Sequence, residues 1–100
     1  SNKRSSALPN VPTLDEQGLK GFNLTQWQGL MAPKGTDKAI IDKLNAEVLK
    51  ALKAPEVIER LGKQGGNEIV GSTPEAFAAL IKSDLEFYTK LITDAGIKPE

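Results

Sequence analysis

Cysteine and histidine are both missing from this 100-residue sequence. Their absence removes disulfides, thiol nucleophiles, Cys/His metal ligation, histidine acid–base chemistry and the Ser-His-Asp triad. Aromatics make up 5% of the chain, and 13 basic side chains are balanced by 13 acidic ones. Nucleic-acid binding rewards a concentrated basic face and rings that stack on bases, so nucleic acid is not an expected partner. No apolar run approaches the roughly 18 residues of a membrane span. Ser1 to Ser6 also lack the apolar centre of a signal peptide, so any export signal is expected outside these residues.

What is present is ordinary for a soluble globular unit: 39% hydrophobic and 26% charged residues. The length leaves no room for two ordinary domains. A chain of this size buries about two thirds of its unfolded surface, against an ordering cost of roughly 1.5 kcal/mol per residue. Every amphipathic face must therefore find a partner.

Residues 1 to 12 hold two prolines, three serines and two asparagines without helical periodicity, and read as extended chain and loop. Thr13 can cap a short helix, Leu14 to Gln17, which Gly18 ends. From Phe22 to Ala32, Asn23, Thr25, Trp27, Gly29 and Met31 alternate with Phe22, Leu24, Gln26, Gln28 and Leu30, which predicts the main strand. Pro33, Lys34 and Gly35 close it. Thr36 is the expected cap of a helix over 37–53, with Ile40, Ile41, Leu44, Val48 and Leu52 at helical spacing. Pro55 opens a second helix, Glu56 to Lys63, stopped by Gly65 and Gly66. Asn67 to Val70 reads as a short strand. Ser72 and Thr73 offer caps, and Glu75 can complete a capping box with Ser72, for a last helix from Pro74 to about Ala95.

On that last helix Phe77, Leu80, Ile81, Leu85, Tyr88, Leu91, Ile92 and Ala95 fall within an arc of about 140°. Asp84 falls inside the same arc. A carboxylate there needs a partner, and it reads as a structural buried acid before it reads as a ligand or catalytic acid. Gly62 to Gly66 look like a phosphate loop, but they follow a helix C-terminus where no free amides point at an anion, so capping is the reading. Val70 to Thr73 form a strand-to-helix turn with no base to activate a nucleophile. No acid–base pair can be assembled, so the chain is read as a binding protein without catalysis, cofactor or metal.

Two strands cannot form a stable sheet under this many helices, so the chain reads as part of a larger α/β domain, helix-rich with one long and one short strand. Unpaired edges would make the isolated chain self-associate, with Phe22 to Ala32 pairing across a two-fold axis. The alternative is a freestanding helical interaction domain, in which the apolar faces of 37–53 and 74–95 contact each other and dock a partner protein.

Three segments in order, Arg4 to Gly18 (RSSALPNVPTLDEQG), Trp27 to Thr36 (WQGLMAPKGT) and Thr73 to Pro99 (TPEAFAALIKSDLEFYTKLITDAGIKP), carry a resemblance. Together they resemble the C-terminal third of the Bug-type substrate-binding receptors of tripartite tricarboxylate transporters. The resemblance implies a periplasmic receptor about three times this length. Its two α/β lobes, of the type II-like periplasmic-binding-protein fold, would close over a small carboxylate and deliver it to a membrane permease. By that resemblance residues 1–21 form a cleft-side loop and short helix, 22–35 a crossover strand, and 36–100 the helical part of the C-terminal lobe. Arg4, Pro12 and Thr13 are then expected near the ligand, Trp27 and Gly29 near the hinge, and Asp84 in a structural pairing. Asp37 stands where the family usually has proline after GT, a change that a first helical turn accepts. The family's glycine-rich N-terminal ligand loop has no counterpart in these residues.

Overall fold

The computed structural model describes all residues from Ser1 to Glu100. Regular structure is helical: α1 (Lys38–Leu52), the single turn α2 (Pro55–Val57) running into a π-helical stretch (Ile58–Gln64), and α3 (Pro74–Asp94). Proline at the first position starts both α2 and α3, where a missing N–H costs nothing. Thr73 caps α3, its Oγ1 accepting from the Ala76 amide at 3.1 Å. The cap is thus Thr73, and no Ser72–Glu75 box forms. Nor does Thr36 cap α1: Asp37 takes that position without a side-chain cap bond. Thr36 Oγ1 instead donates to the Pro33 carbonyl at 2.7 Å and tightens the turn before the helix.

The expected helix 56–63 is α-helical for one turn only. Beyond it the ladder widens, the Gly65 amide reaching the Arg60 carbonyl five residues back at 3.0 Å. Asn67, expected to begin a strand, turns its Nδ2 back onto the Leu61 carbonyl at 3.0 Å and the Gly65 carbonyl at 3.3 Å. These bonds cap the widened turn, and Gly66 takes the positive φ of 66° that reverses the chain there.

No strand is present, so the α/β expectation is corrected: this chain is helical, with long irregular segments. Neither the long strand expected at Phe22 to Ala32 nor the short one at Asn67 to Val70 forms. A strand exists through its neighbour, and the two β-prone segments do not pair with each other or with any other part of the chain. With no strands there are no strand edges, so the expected edge-to-edge self-association also falls. Residues 14–17 likewise make a capped turn instead of a helix.

The helices touch but enclose no core. Asn45 on α1 donates through Nδ2 to the Ser72 carbonyl at 2.8 Å, fastening α1 to the entry of α3. No residue is buried, and the accessible surface is 8660 Å². A self-contained globule of 10.7 kDa exposes about 5,500 Å². The radius of gyration of 16.7 Å also exceeds the roughly 13 Å of a compact chain of this length. A freestanding helical domain would have closed its apolar faces on each other. Here Leu85, Leu30 and Val70 are 67%, 80% and 82% exposed.

Candidate functional site

Two surfaces gather polar side chains, one from segments distant in sequence and one from the first 16 residues. The first lies where the 22–32 segment crosses α3, an open groove of about 410 Å³ lined by Thr25, Gln26, Trp27, Gln28, Asp84 and Tyr88. Helical spacing puts Phe77, Ile81, Asp84 and Tyr88 on one face of α3, and all four are half-buried. The Trp27 indole Nε1 donates to Asp84 Oδ2 at 2.5 Å. Its ring meets Phe77 edge to face, with centroids 5.1 Å apart and planes at 89°. Two residues on, Gly29 lies against the same ring: a Cβ there would come within 2.5 Å of Phe77 Cζ. Only glycine admits that approach without displacement. Asp84, expected to be a buried structural acid, is half-buried, and its hydrogen-bond partner is an indole N–H with no cation involved.

The second surface is a groove of about 240 Å³ lined in part by Lys3, Arg4, Ser5, Pro12 and Thr13. It brings Arg4, Pro12 and Thr13 together. Arg4 is held from two sides: Nε donates to both oxygens of Glu16, at 2.9 and 3.1 Å, and Nη1 donates to the Pro9 carbonyl at 3.2 Å. Glu16 and Thr13 form a reciprocal cap. The Thr13 amide donates to Glu16 Oε2 at 2.7 Å, and the Glu16 amide donates to Thr13 Oγ1 at 3.1 Å. These bonds favour the ionised carboxylate. Glu16 is accordingly held below the usual glutamate range, first by the Arg4 hydrogen bond and then by the Thr13 amide. The same pairing raises Arg4.

Glu16 and Phe77 are the central residues that sequence reading did not assign to these surfaces. The T-x-x-E spacing from Thr13 to Glu16 carried a signal for the first. Nothing local in the sequence announces that Phe77 faces Trp27, fifty positions away. No group of acidic side chains gathers that could hold a metal ion, and no helix is long and apolar enough to cross a membrane.

The family model for the tripartite tricarboxylate transporter family receptor matches residues 1–97. The chain belongs to that receptor family. Its members are receptors, not enzymes. Among similar proteins, the UPF0065 protein in the tcbD-tcbE intergenic region of Pseudomonas sp. (strain P51) is 47% identical over 92 residues, covering 91% of this chain and 27% of that protein. Protein BugT of Bordetella pertussis is 34% identical over 98 residues, covering 98% of this chain and 30% of that one. The solved structure of the periplasmic binding protein BugD superposes with a TM-score of 0.76 at 38% identity, over 100% of this chain and 34% of the other. This receptor-family chain therefore spans only about a third of the length of each of these three relatives. Its resemblance to a Bug receptor, carried by the three sequence segments, holds along nearly its whole length.

Proposed function

We propose that these residues are the C-terminal portion of a periplasmic receptor that captures a small carboxylate and passes it to the permease of a tripartite transporter. The observation that carries the reading is the receptor-family match over residues 1–97. It is supported by a fold that resembles part of BugD yet leaves its own apolar faces uncovered. In the whole receptor the missing cover would come from the rest of the polypeptide, and lobe closure would exclude water from the captured acid.

Arg4, Pro12 and Thr13 are proposed as neighbours of that acid, because all three line the same groove. Arg4 spends Nε and one Nη1 donor on Glu16 and Pro9, which leaves three of the five guanidinium N–H donors for a carboxylate. Trp27 and Gly29 are proposed at the hinge, where the 22–32 segment crosses between lobes. The freestanding interaction domain has no observation in its favour, since neither helix face is closed by the other.

Thermal-shift measurements on the full-length receptor with mono-, di- and tricarboxylates test this reading. A bound acid at 100 times its Kd stabilises by about 2.7 kcal/mol. Stabilisation by one class of acid is the expected result, and no response to any acid would overturn the carboxylate assignment.

A further inference from the structure

The groove at the N-terminal loop is organised by a residue that does not line it. Arg4, Pro12 and Thr13 form part of its wall and Glu16 does not. Glu16 Oε2 nevertheless accepts from the Arg4 Nε–H at 2.9 Å and from the Thr13 amide at 2.7 Å, and Oε1 adds a second contact to Arg4 Nε at 3.1 Å. Of the ion-paired cations, only Arg4 also donates to a backbone carbonyl, that of Pro9 at 3.2 Å. Anchors on two different nitrogens fix the plane of a guanidinium, so the donors left over point in set directions. All these partners lie between Arg4 and Glu16, and the arrangement is closed by contacts that are local in the chain. As a source of stability the ion pair is weak. Its side chains are 43% and 44% exposed, and exposed pairs contribute little to folding. What it does is orient Arg4.

We propose that Glu16 is a positioning residue for solute capture: it holds the Arg4 guanidinium in one orientation, so that the remaining N–H donors meet a carboxylate already aligned. The inference rests on the receptor reading, in which Arg4 neighbours the captured acid, and deepens it. Glu16 touches no solute and acts through Arg4. A long side chain fastened before the solute arrives loses less freedom on binding. Charge alone would act the other way, because removing an anion from beside Arg4 would tighten its hold on a carboxylate. The sign of the change in affinity separates the two effects.

The test uses the full-length receptor in wild-type form and as Glu16→Ala, Glu16→Gln and Arg4→Ala. Two quantities are read. The first, without solute, is the order parameter of the Arg4 Nε–H in a 15N-labelled sample, its signal assigned by its loss in Arg4→Ala. The second is the Kd for acetate, succinate and citrate, taken as mono-, di- and tricarboxylate probes. Glu16→Ala is expected to lower the order parameter and to raise the Kd of the bound probe by about 2- to 10-fold, the range that ordering one side chain on binding represents. Glu16→Gln keeps an oxygen acceptor and should fall between wild type and Glu16→Ala in both readings. It decides the matter if Glu16→Ala does not fold. An Arg4 Nε–H whose order is unchanged in the Glu16 variants overturns the proposal, as does a Kd that stays the same or falls in them. A wild-type receptor that binds none of the probes overturns the carboxylate reading and this role with it. Failure of the proposal alone is distinct from that: the wild type binds a probe, and the Glu16 variants bind it no less tightly.

Discussion

The first 21 residues and the next 11 are both irregular, but they are held by opposite means. Residues 1–21 are fastened mostly by their own polar groups: Arg4, Pro9, Thr13 and Glu16 bond to one another within a 13-residue span, and Asp15 accepts from the Gly21 amide at 2.7 Å, while only the Asn2 and Ser6 amides reach outward, to Asn23 Oδ1 and Glu68 Oε1. Residues 22–32 make no backbone bond past Phe22 and depend on α3, 57 positions away at the Trp27–Asp84 bond. Local polar chemistry can order a loop without a core, whereas an apolar segment takes its shape from whatever covers it. The chain is a mixture of the two, and the second kind points to polypeptide beyond these residues.

The contrast can be broken at its apolar end first. Trp27→Ala in the full-length receptor removes the indole bond and the edge-to-face pair together, and should cost about 3 kcal/mol in denaturant unfolding. Gly29→Val forces a side chain into the Phe77 ring and should cost about 2 kcal/mol. Adding Phe77→Leu should recover part of that loss, and a double mutant that simply sums the two single losses would mean that the contact at Gly29 is not the cause. At the polar end the effects are smaller and confined to the loop. Thr13→Ala removes a cap and should cost about 1 kcal/mol.

The weakest effect is a pH dependence of the first segment alone. The folded pKa of Glu16 is depressed, so the ordering it provides is present above the ordinary glutamate range and is lost as pH falls through the lower folded value. Amide exchange at Thr13, whose N–H is held by Glu16, should therefore rise on acidification relative to its intrinsic rate. Glu16→Gln should remove that pH dependence, and a rise that persists in Glu16→Gln would mean that Glu16 does not hold the segment.

The sequence was most legible where structure is local. Helical spacing from Ile40 to Leu52 and from Phe77 to Ile92 gave α1 and α3 within a residue or so, since capping and periodicity act over a few positions. Asp84 stood out because a carboxylate sits badly on an apolar arc. The strands failed for the same physical reason that the core is missing. Alternation from Phe22 to Ala32 describes a surface ready to be covered on two sides, and neither side is fully covered within these residues, Leu30 on one and Met31 on the other staying largely exposed. The π-helical turn was invisible, because it depends on Asn67 reaching back to Leu61 and on the glycines that let the ladder widen. Arg4, Pro12 and Thr13 come together as a group, but Glu16, which organises them, is marked in the sequence only by its T-x-x-E spacing from Thr13.

Calorimetry on residues 1–100 expressed alone tests most directly whether this chain depends on the rest of a receptor for its core. A broad, gradual melt without a sharp heat-capacity peak is expected, because no side chain is buried to melt cooperatively. A sharp transition with equal calorimetric and van't Hoff enthalpies, from a monomer with a radius of gyration near about 13 Å, would contradict it.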